Sequence, residues 1–250
     1  TKCFGRGEFV MNDMNYGDKG KIGLIYPSAG WVMEPELNEM APEGISIQAT
    51  RVPLGKTDVE GLNKLLLSIQ EAGELLSHIP TDIILLGCTS ASFINGVAYE
   101  KQMIADMEER TNIKFTTTST SVINALRNMN IKKVAVATPY IDEVNVKAEL
   151  YLKENDIEVC SMKGMGLITD SQIDAVKLDE VYRFCFDADC EEAEALLILC
   201  TGLRTIPIIE RLEKNLNKPV ITAIQASMWN ALRCIHINDH VKGYGALFEK

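Results

Sequence analysis

Short continuous apolar runs alternate along this chain with longer stretches in which apolar positions recur every three or four residues. Runs such as Asp82-Ile83-Ile84-Leu85-Leu86 and Ala195-Leu196-Leu197-Ile198-Leu199 have no polar alternation, as strands buried on both faces require. The pattern predicts strands over 22–26, 46–52, 82–87 and 114–118 in the first half, with helices over 58–78 and 96–111. In the second half it predicts strands over 133–138, 157–163, 195–199 and 219–223. Helices are expected there over 120–129, 142–155, 171–191, 205–216 and 226–234. Thr57 or Asp58 can cap the helix that follows them, as can Thr169 or Asp170. The segment Gly30–Glu43 carries no readable pattern and is expected to be loop. Strands alternating with helices point to βαβ units and parallel sheets.

The two halves repeat. At an offset of 112, Lys21-Ile22-Gly23-Leu24-Ile25-Tyr26-Pro27 falls on Lys133-Val134-Ala135-Val136-Ala137-Thr138-Pro139, and Thr57-Asp58 falls on Thr169-Asp170. The same offset sets Cys88, in Leu-Leu-Gly-Cys-Thr-Ser, on Cys200, in Ile-Leu-Cys-Thr-Gly. A further string, Asn-Ala-Leu-Arg, stands at 124–127 and 230–233, with six residues deleted from the second copy. The expected fold is therefore α/β, with two pseudo-symmetric doubly wound lobes, each built on a four-stranded parallel sheet. Residues 1–20 read as an N-terminal extension, 21–120 as the first lobe and 121–250 as the second, with the C-terminal helical region 226–250 packing back on the first. Ligands of open parallel sheets sit at the carboxyl ends of the strands. Those ends carry Pro27-Ser28-Ala29-Gly30, Cys88-Thr89-Ser90-Ala91-Ser92, Pro139-Tyr140 and Cys200-Thr201-Gly202, which the repeat would bring to one cleft between the lobes.

Composition narrows the partners. A formal net charge of −10 argues against nucleic acid, which needs clustered Lys and Arg, and against anionic membranes. No stretch approaches the roughly 18 apolar residues of a membrane span, and 1–19 lacks the apolar core of a secretory signal. Seven cysteines, an odd number without a C-x-x-C pair, read as reduced thiols of a cytoplasmic protein. His236 and His240 lack an accompanying carboxylate motif, so no metal site is expected. The expected partner is a small carboxylic acid, and association into a homo-oligomer is left open.

A lone cysteine after a strand is most often structural, because free cysteine is among the most buried residue types. Cys88 and Cys200 differ in being followed by small polar residues at equivalent strand ends. A thiol before a helix N-terminus lies in positive potential, which favours thiolate. Thr89, Ser90 and Ser92 add hydroxyls, and Thr201 with the Gly202 backbone does so at the other end, so each loop is a candidate carboxylate cradle. Pro27 and Ser28 are candidate substrate contacts in the first loop, and Tyr140 offers a phenolic O–H. Two opposed thiols can racemise a carbon acid, isomerise a double bond by addition and elimination, or protonate the enediolate left by decarboxylation. None of these needs a cofactor. Met228 and Trp229 read as core, and Arg204 as either an anion contact or a helix-surface residue.

The segments around Cys88 and around Cys200-Thr201-Gly202-Leu203-Arg204-Thr205 resemble the aspartate/glutamate racemase superfamily. So do Thr116–Ser121, Ala137–Asn145 and Pro219–Arg233. Within it the chain is similar to the branch of maleate cis–trans isomerases, arylmalonate decarboxylases and ectoine-utilisation proteins. The resemblance implies cofactor-independent chemistry between two half-domains, with Cys88 as nucleophile and Cys200 as proton donor. It further implies that Tyr140, Thr89, Ser90, Thr201 and Gly202 hold substrate carboxylate oxygens. The decarboxylases carry Gly at the Cys88 position. The isomerases carry Asn in the first strand-end loop, where this chain has Pro27-Ser28, and a second Asn near 170–171, where it offers Ser171. Glutamate-type racemases have Asp-Ser-Gly and Cys-Thr-His where this chain has Pro27-Ser28-Ala29 and Cys200-Thr201-Gly202. The leading expectation is isomerisation of a small unsaturated dicarboxylate, ahead of racemisation or decarboxylation through an enediolate and ahead of non-catalytic binding of a small acid.

Overall fold

The structure, a computed structural model, describes residues 15–249. Most of the expected extension over 1–20, with Cys3, lies outside the described residues. The strands are β1 (Gly20–Pro27), β2 (Ile45–Val52), β3 (Ile83–Leu86) and β4 (Lys114–Thr117), then β5 (Lys133–Thr138), β6 (Glu158–Gly164), β7 (Ala195–Ile198) and β8 (Val220–Thr222). They form two parallel sheets of four strands, ordered β2-β1-β3-β4 and β6-β5-β7-β8. The central strands of both sheets are buried along their length, as their unbroken apolar runs require.

Register confirms the duplication residue by residue. Ile22 pairs with Ile47 and Ile83, and Val134 pairs with Val159 and Ala195, all at the offset of 112. The offset is smaller at the last strand. Leu85 pairs with Thr116 and Leu197 with Ile221, so β4 and β8 correspond at 105. Thr117 caps helix α6 (Thr118–Asn128) and Thr222 caps α11 (Ala223–Cys234) at that same spacing. The two Asn-Ala-Leu-Arg strings, 106 apart, are thus one position out of structural equivalence, and seven residues rather than six are missing from the second copy. Asn124 nonetheless donates to Asn230 at 3.0 Å, where α6 and α11 pack together between the sheets.

The remaining helices show where periodicity misleads. The stretch 58–78 is two helices, α1 (Met33–Met40) preceding it and α2 (Val59–Leu66) and α3 (Ile69–Ser77) within it. The apolar stripe Leu62, Leu65, Leu66, Ile69, Ala72, Leu76 runs on without a break, but Leu67 and Ser68 close tighter i→i+3 bonds on Lys64 and Leu65. Helix α1 itself occupies a segment expected to be loop. Its signal was Met33, Leu37 and Met40 at helical spacing with Pro35 in the first turn, where proline is tolerated. After α4 (Thr89–Phe93), α5 (Gly96–Thr111) and α7 (Asp142–Glu154), the stretch 171–191 also divides, into α8 (Asp170–Asp174) and α9 (Leu178–Ala188). Arg204 donates to the carbonyls of Asp174 and Val176 there, holding the bend open. Helix α10 (Ile209–Leu216) follows a single 3-10 turn.

Buried polar bonds fasten the two halves along the cleft. Tyr26 donates to the Thr201 carbonyl at 3.1 Å, and Thr201 donates to the Gly87 carbonyl at 3.0 Å. The Glu36 carboxylate accepts from the Thr205 and Ile206 backbone N–H groups and from the Thr205 hydroxyl. Burial pushes the Glu36 carboxyl up to about 7, against those bonds, which lower it. The folded state therefore favours the protonated form. That contribution is complete below the ordinary value of 4.5 and is lost as pH rises through 7. It amounts to roughly 3 kcal/mol at most. Glu36→Gln retains an acceptor for the two N–H groups, so it is expected to fold and to flatten the loss of stability between pH 5 and pH 8 in urea melts. An unchanged slope would refute the assignment to Glu36.

Candidate active site

The carboxyl ends of both sheets meet at a narrow cavity. Eight of the nine residues singled out from the sequence line it: Pro27, Cys88, Thr89, Ser90, Tyr140, Cys200, Thr201 and Gly202. Ser28 does not. Its side chain is exposed and its Oγ accepts from the Leu54 N–H at 3.4 Å, so it steadies the loop from outside. Gly30, from the first strand-end loop expected at the cleft, lines it too, and Tyr26, Leu54, Thr57 and Asp170 complete the lining without having been singled out. Among the described residues no Lys, Arg or His lines the cavity.

Both thiols are buried at their strand ends, Cys88 4% and Cys200 7% exposed. Cys88 is the N-cap residue of the short helix α4, with the Ala91 N–H and the Ser90 hydroxyl near its sulfur. Cys200 has φ of 121°, a left-handed conformation that a residue with a Cβ adopts only when its surroundings force it. There its sulfur accepts the Gly202 N–H at 3.3 Å. The expected lowering of the thiol pKa is reversed. Burial dominates the neighbouring N–H donors and pushes each thiol up to about 12. Both are therefore thiols near neutrality. Alkylation of Cys88 and Cys200 by iodoacetamide, followed peptide by peptide, is expected to rise about tenfold per pH unit up to pH 10. Levelling off below pH 9.5 would refute the raised values.

Two hydroxyls in the cavity wall lack partners. Tyr140 Oη and Thr89 Oγ1 are buried and form no hydrogen bond among the described residues, although Cys200 and Thr89 stand close enough to the phenol to shift its pKa, which burial raises well above the ordinary value. The tyrosine is fixed by the edge of Phe93, 6.1 Å away between ring centroids, and by Asn145, which donates to its carbonyl at 3.3 Å. Unpaired buried donors are costly and rare, and they point to a ligand atom that would pair with them. The other hydroxyls are already committed. Ser92 donates to the Thr89 carbonyl at 2.8 Å and bonds Ser119, so it props α4 from beneath rather than facing a ligand. The Thr201 hydroxyl is taken by Gly87, which leaves the backbone of that loop as its contribution.

Asp170 is where the two halves stop matching. In the first half Asp58 is the helix cap, accepting the Gly61 N–H at 2.8 Å. In the second half Thr169 takes that role with a complete capping box, which frees the Asp170 carboxyl to enter the cavity. Its Oδ1 accepts from the Thr57 hydroxyl at 3.3 Å and its Oδ2 is buried without a partner. Ser171, offered by the sequence for this place, is exposed and bonds Thr169 instead. Asp174 lies behind Gly202, its Oδ1 2.9 Å from where a Cβ would stand. Burial, with Asp170 adding to it, lifts Asp174 to about 7.

Elsewhere the cysteines Cys160, Cys185, Cys190 and Cys234 are free and remote from the cavity. Met228 and Trp229 are core residues. Among the described residues no group of His, Cys, Asp and Glu is arranged to hold a metal, and no helix is long and apolar enough to cross a membrane.

The chain is similar to known proteins over most of its length. An arylmalonate decarboxylase of Bordetella bronchiseptica is 28% identical over 233 residues, covering 92% of this chain and 96% of that one. A double mutant of arylmalonate decarboxylase solved in the liganded form superposes with a TM-score of 0.87 at 29% identity, covering 92% and 99% of the two chains. A Nocardia farcinica maleate cis–trans isomerase mutant, solved with a covalently bound succinylcysteine intermediate, gives a TM-score of 0.87 at 20% identity, covering 92% and 98%. That last likeness is one of fold. The arylmalonate decarboxylase family model matches residues 22–248, both sheets and both thiol loops included, so the chain belongs to that family.

Proposed function

We propose that this chain is an isomerase of a small unsaturated carboxylic acid, with Cys88 as nucleophile and Cys200 as proton donor and acceptor. The observation that carries the proposal is the pair of buried thiols at equivalent strand ends of one cavity, beside the unpartnered hydroxyls of Thr89 and Tyr140. The substrate carboxylate is taken by those hydroxyls and by backbone N–H groups of the α4 loop. Cys88, a thiol at rest, first releases its proton to solvent and then, as thiolate, adds to the alkene carbon β to that carboxylate. The electron pair moves onto the carboxylate as an enediolate, which the same donors stabilise. The Cys200 thiol then protonates the α-carbon, leaving a single bond that rotates. Cys200 thiolate removes the proton again and the C–S bond breaks, returning Cys88 as thiolate and the alkene in its other geometry. Atoms and charge balance over the cycle. In support, the Nocardia isomerase was solved with a succinylcysteine, an adduct of this kind.

Decarboxylation is the second reading, favoured by family membership and by the Bordetella relative. It uses the same enediolate with Cys200 as proton donor, and Cys88 has no part in it. A panel of maleate, maleamate and phenylmalonate, followed by proton NMR in deuterated water, separates the two. Conversion of a cis acid to its trans form supports isomerisation. Loss of carbon dioxide from phenylmalonate alone, with deuterium entering the α-position, overturns it in favour of decarboxylation.

A further inference from the structure

The cleft is chemically lopsided. One end presents hydrogen-bond donors, the hydroxyls of Thr89 and Tyr140 and the backbone of the α4 loop. The lining also holds an acceptor, Asp170, whose Oδ2 is buried and without a partner among the described residues, with Asp174 beside it. The groups facing Asp170 are the Thr57 hydroxyl, the two thiols and Tyr26, and none is a cation. Among the described residues two guanidinium groups stand near the cavity without lining it: Arg204 is held on the carbonyls of Asp174 and Val176, and Arg51 on the carbonyls of Pro27 and Gly30, over the Tyr26 ring. A second carboxylate on the substrate would meet Asp170 with no positive charge between them.

We propose that Asp170 makes the site selective for a substrate whose far end is an N–H donor, a monocarboxylate bearing an amide or amine in place of a second carboxylate. This rests on the isomerase reading only for the placement of the first carboxylate. Asp170 is released for the task because Thr169, not the aspartate, caps α8. Its Oδ1 is oriented by Thr57 from the other half of the chain, which leaves Oδ2 as the unpartnered oxygen of a residue that lines the cavity. Burial raises the carboxyl's pKa, as expected of an oxygen left dry and unpaired, and an N–H donor would relieve that cost. Discrimination of this kind is strong because the wrong ligand leaves a buried polar group unpaired or opposed by like charge.

Succinamate and succinate, the saturated probes, are compared by calorimetry at pH 7.5 on the wild-type chain and on Asp170→Asn. The asparagine keeps the Thr57 bond through its own oxygen, and melting temperature verifies its fold. Wild type is expected to bind succinamate at least about tenfold tighter than succinate, and D170N to narrow that preference to about threefold or invert it. Equal or tighter binding of succinate by wild type overturns the proposal, as does a preference that D170N leaves unchanged. Failure of wild type to bind either acid overturns it as well. Turnover is read separately, with maleamate and maleate. If Asp170-dependent preference is found but no cis acid is isomerised, the isomerase reading falls and the selectivity stands.

Discussion

Replacing Cys88 by alanine is expected to lower kcat for cis–trans conversion by about 10³-fold or more, with the fold intact. The side chain is small and its sulfur meets only the Ala91 N–H and a long contact with Ser90 as polar neighbours, so little is lost. Cys200→Ala is expected to cost a similar factor, because Cys200 is the thiol left to protonate the α-carbon once Cys88 is bonded to the substrate. The informative measurement is the double variant. If the two thiols act in one cycle, Cys88→Ala with Cys200→Ala is no slower than either alone. Multiplying losses would mean independent roles. Full activity of Cys88→Ala towards a malonate, with none towards an alkene, would place the chain with the decarboxylases in activity as well as in family.

Tyr140→Phe is the second large effect, and it sets function against stability. The phenolic oxygen is buried and unpaired in the ligand-free chain, so its removal is expected to leave stability unchanged or raise it by about 1 kcal/mol. In the reaction the same O–H would face the developing enediolate, where losing one preorganised donor costs about 10²–10³ in kcat. A variant that is both more stable and some hundredfold slower would identify Tyr140 as an oxyanion donor. A structural role predicts the reverse, with lower melting temperature and unaltered kcat.

Much of the framework was legible because a duplicated parallel sheet writes itself twice. The offset of 112 carried over into the pairing of Ile22 and Val134 with their neighbours, and brought Cys88 and Cys200 to one cavity. Helix breaks were not legible, since the apolar stripe through Leu66 and Ile69 continues across a turn that only hydrogen bonding reveals. The thiol pKa values were misjudged because a strand-end position exposes its local donors in the sequence but not the depth of its burial. Thr201 and Ser92 look from sequence like ligand hydroxyls, and only their carbonyl partners show them to be struts. Asp170 stayed hidden because Thr-Asp can cap a helix through either residue, and the two copies choose differently.

That divergence has a consequence for what such a cleft can distinguish. Two identical chains meeting about a two-fold axis would give a bound molecule the same welcome at head and tail. Once both copies lie on one polypeptide, position 58 can keep the capping of its helix while position 170 gives it up, each free of the other. The thiols retain the old mirror relation, but the cleft acquires a direction, and a molecule with unlike ends has only one way to lie in it.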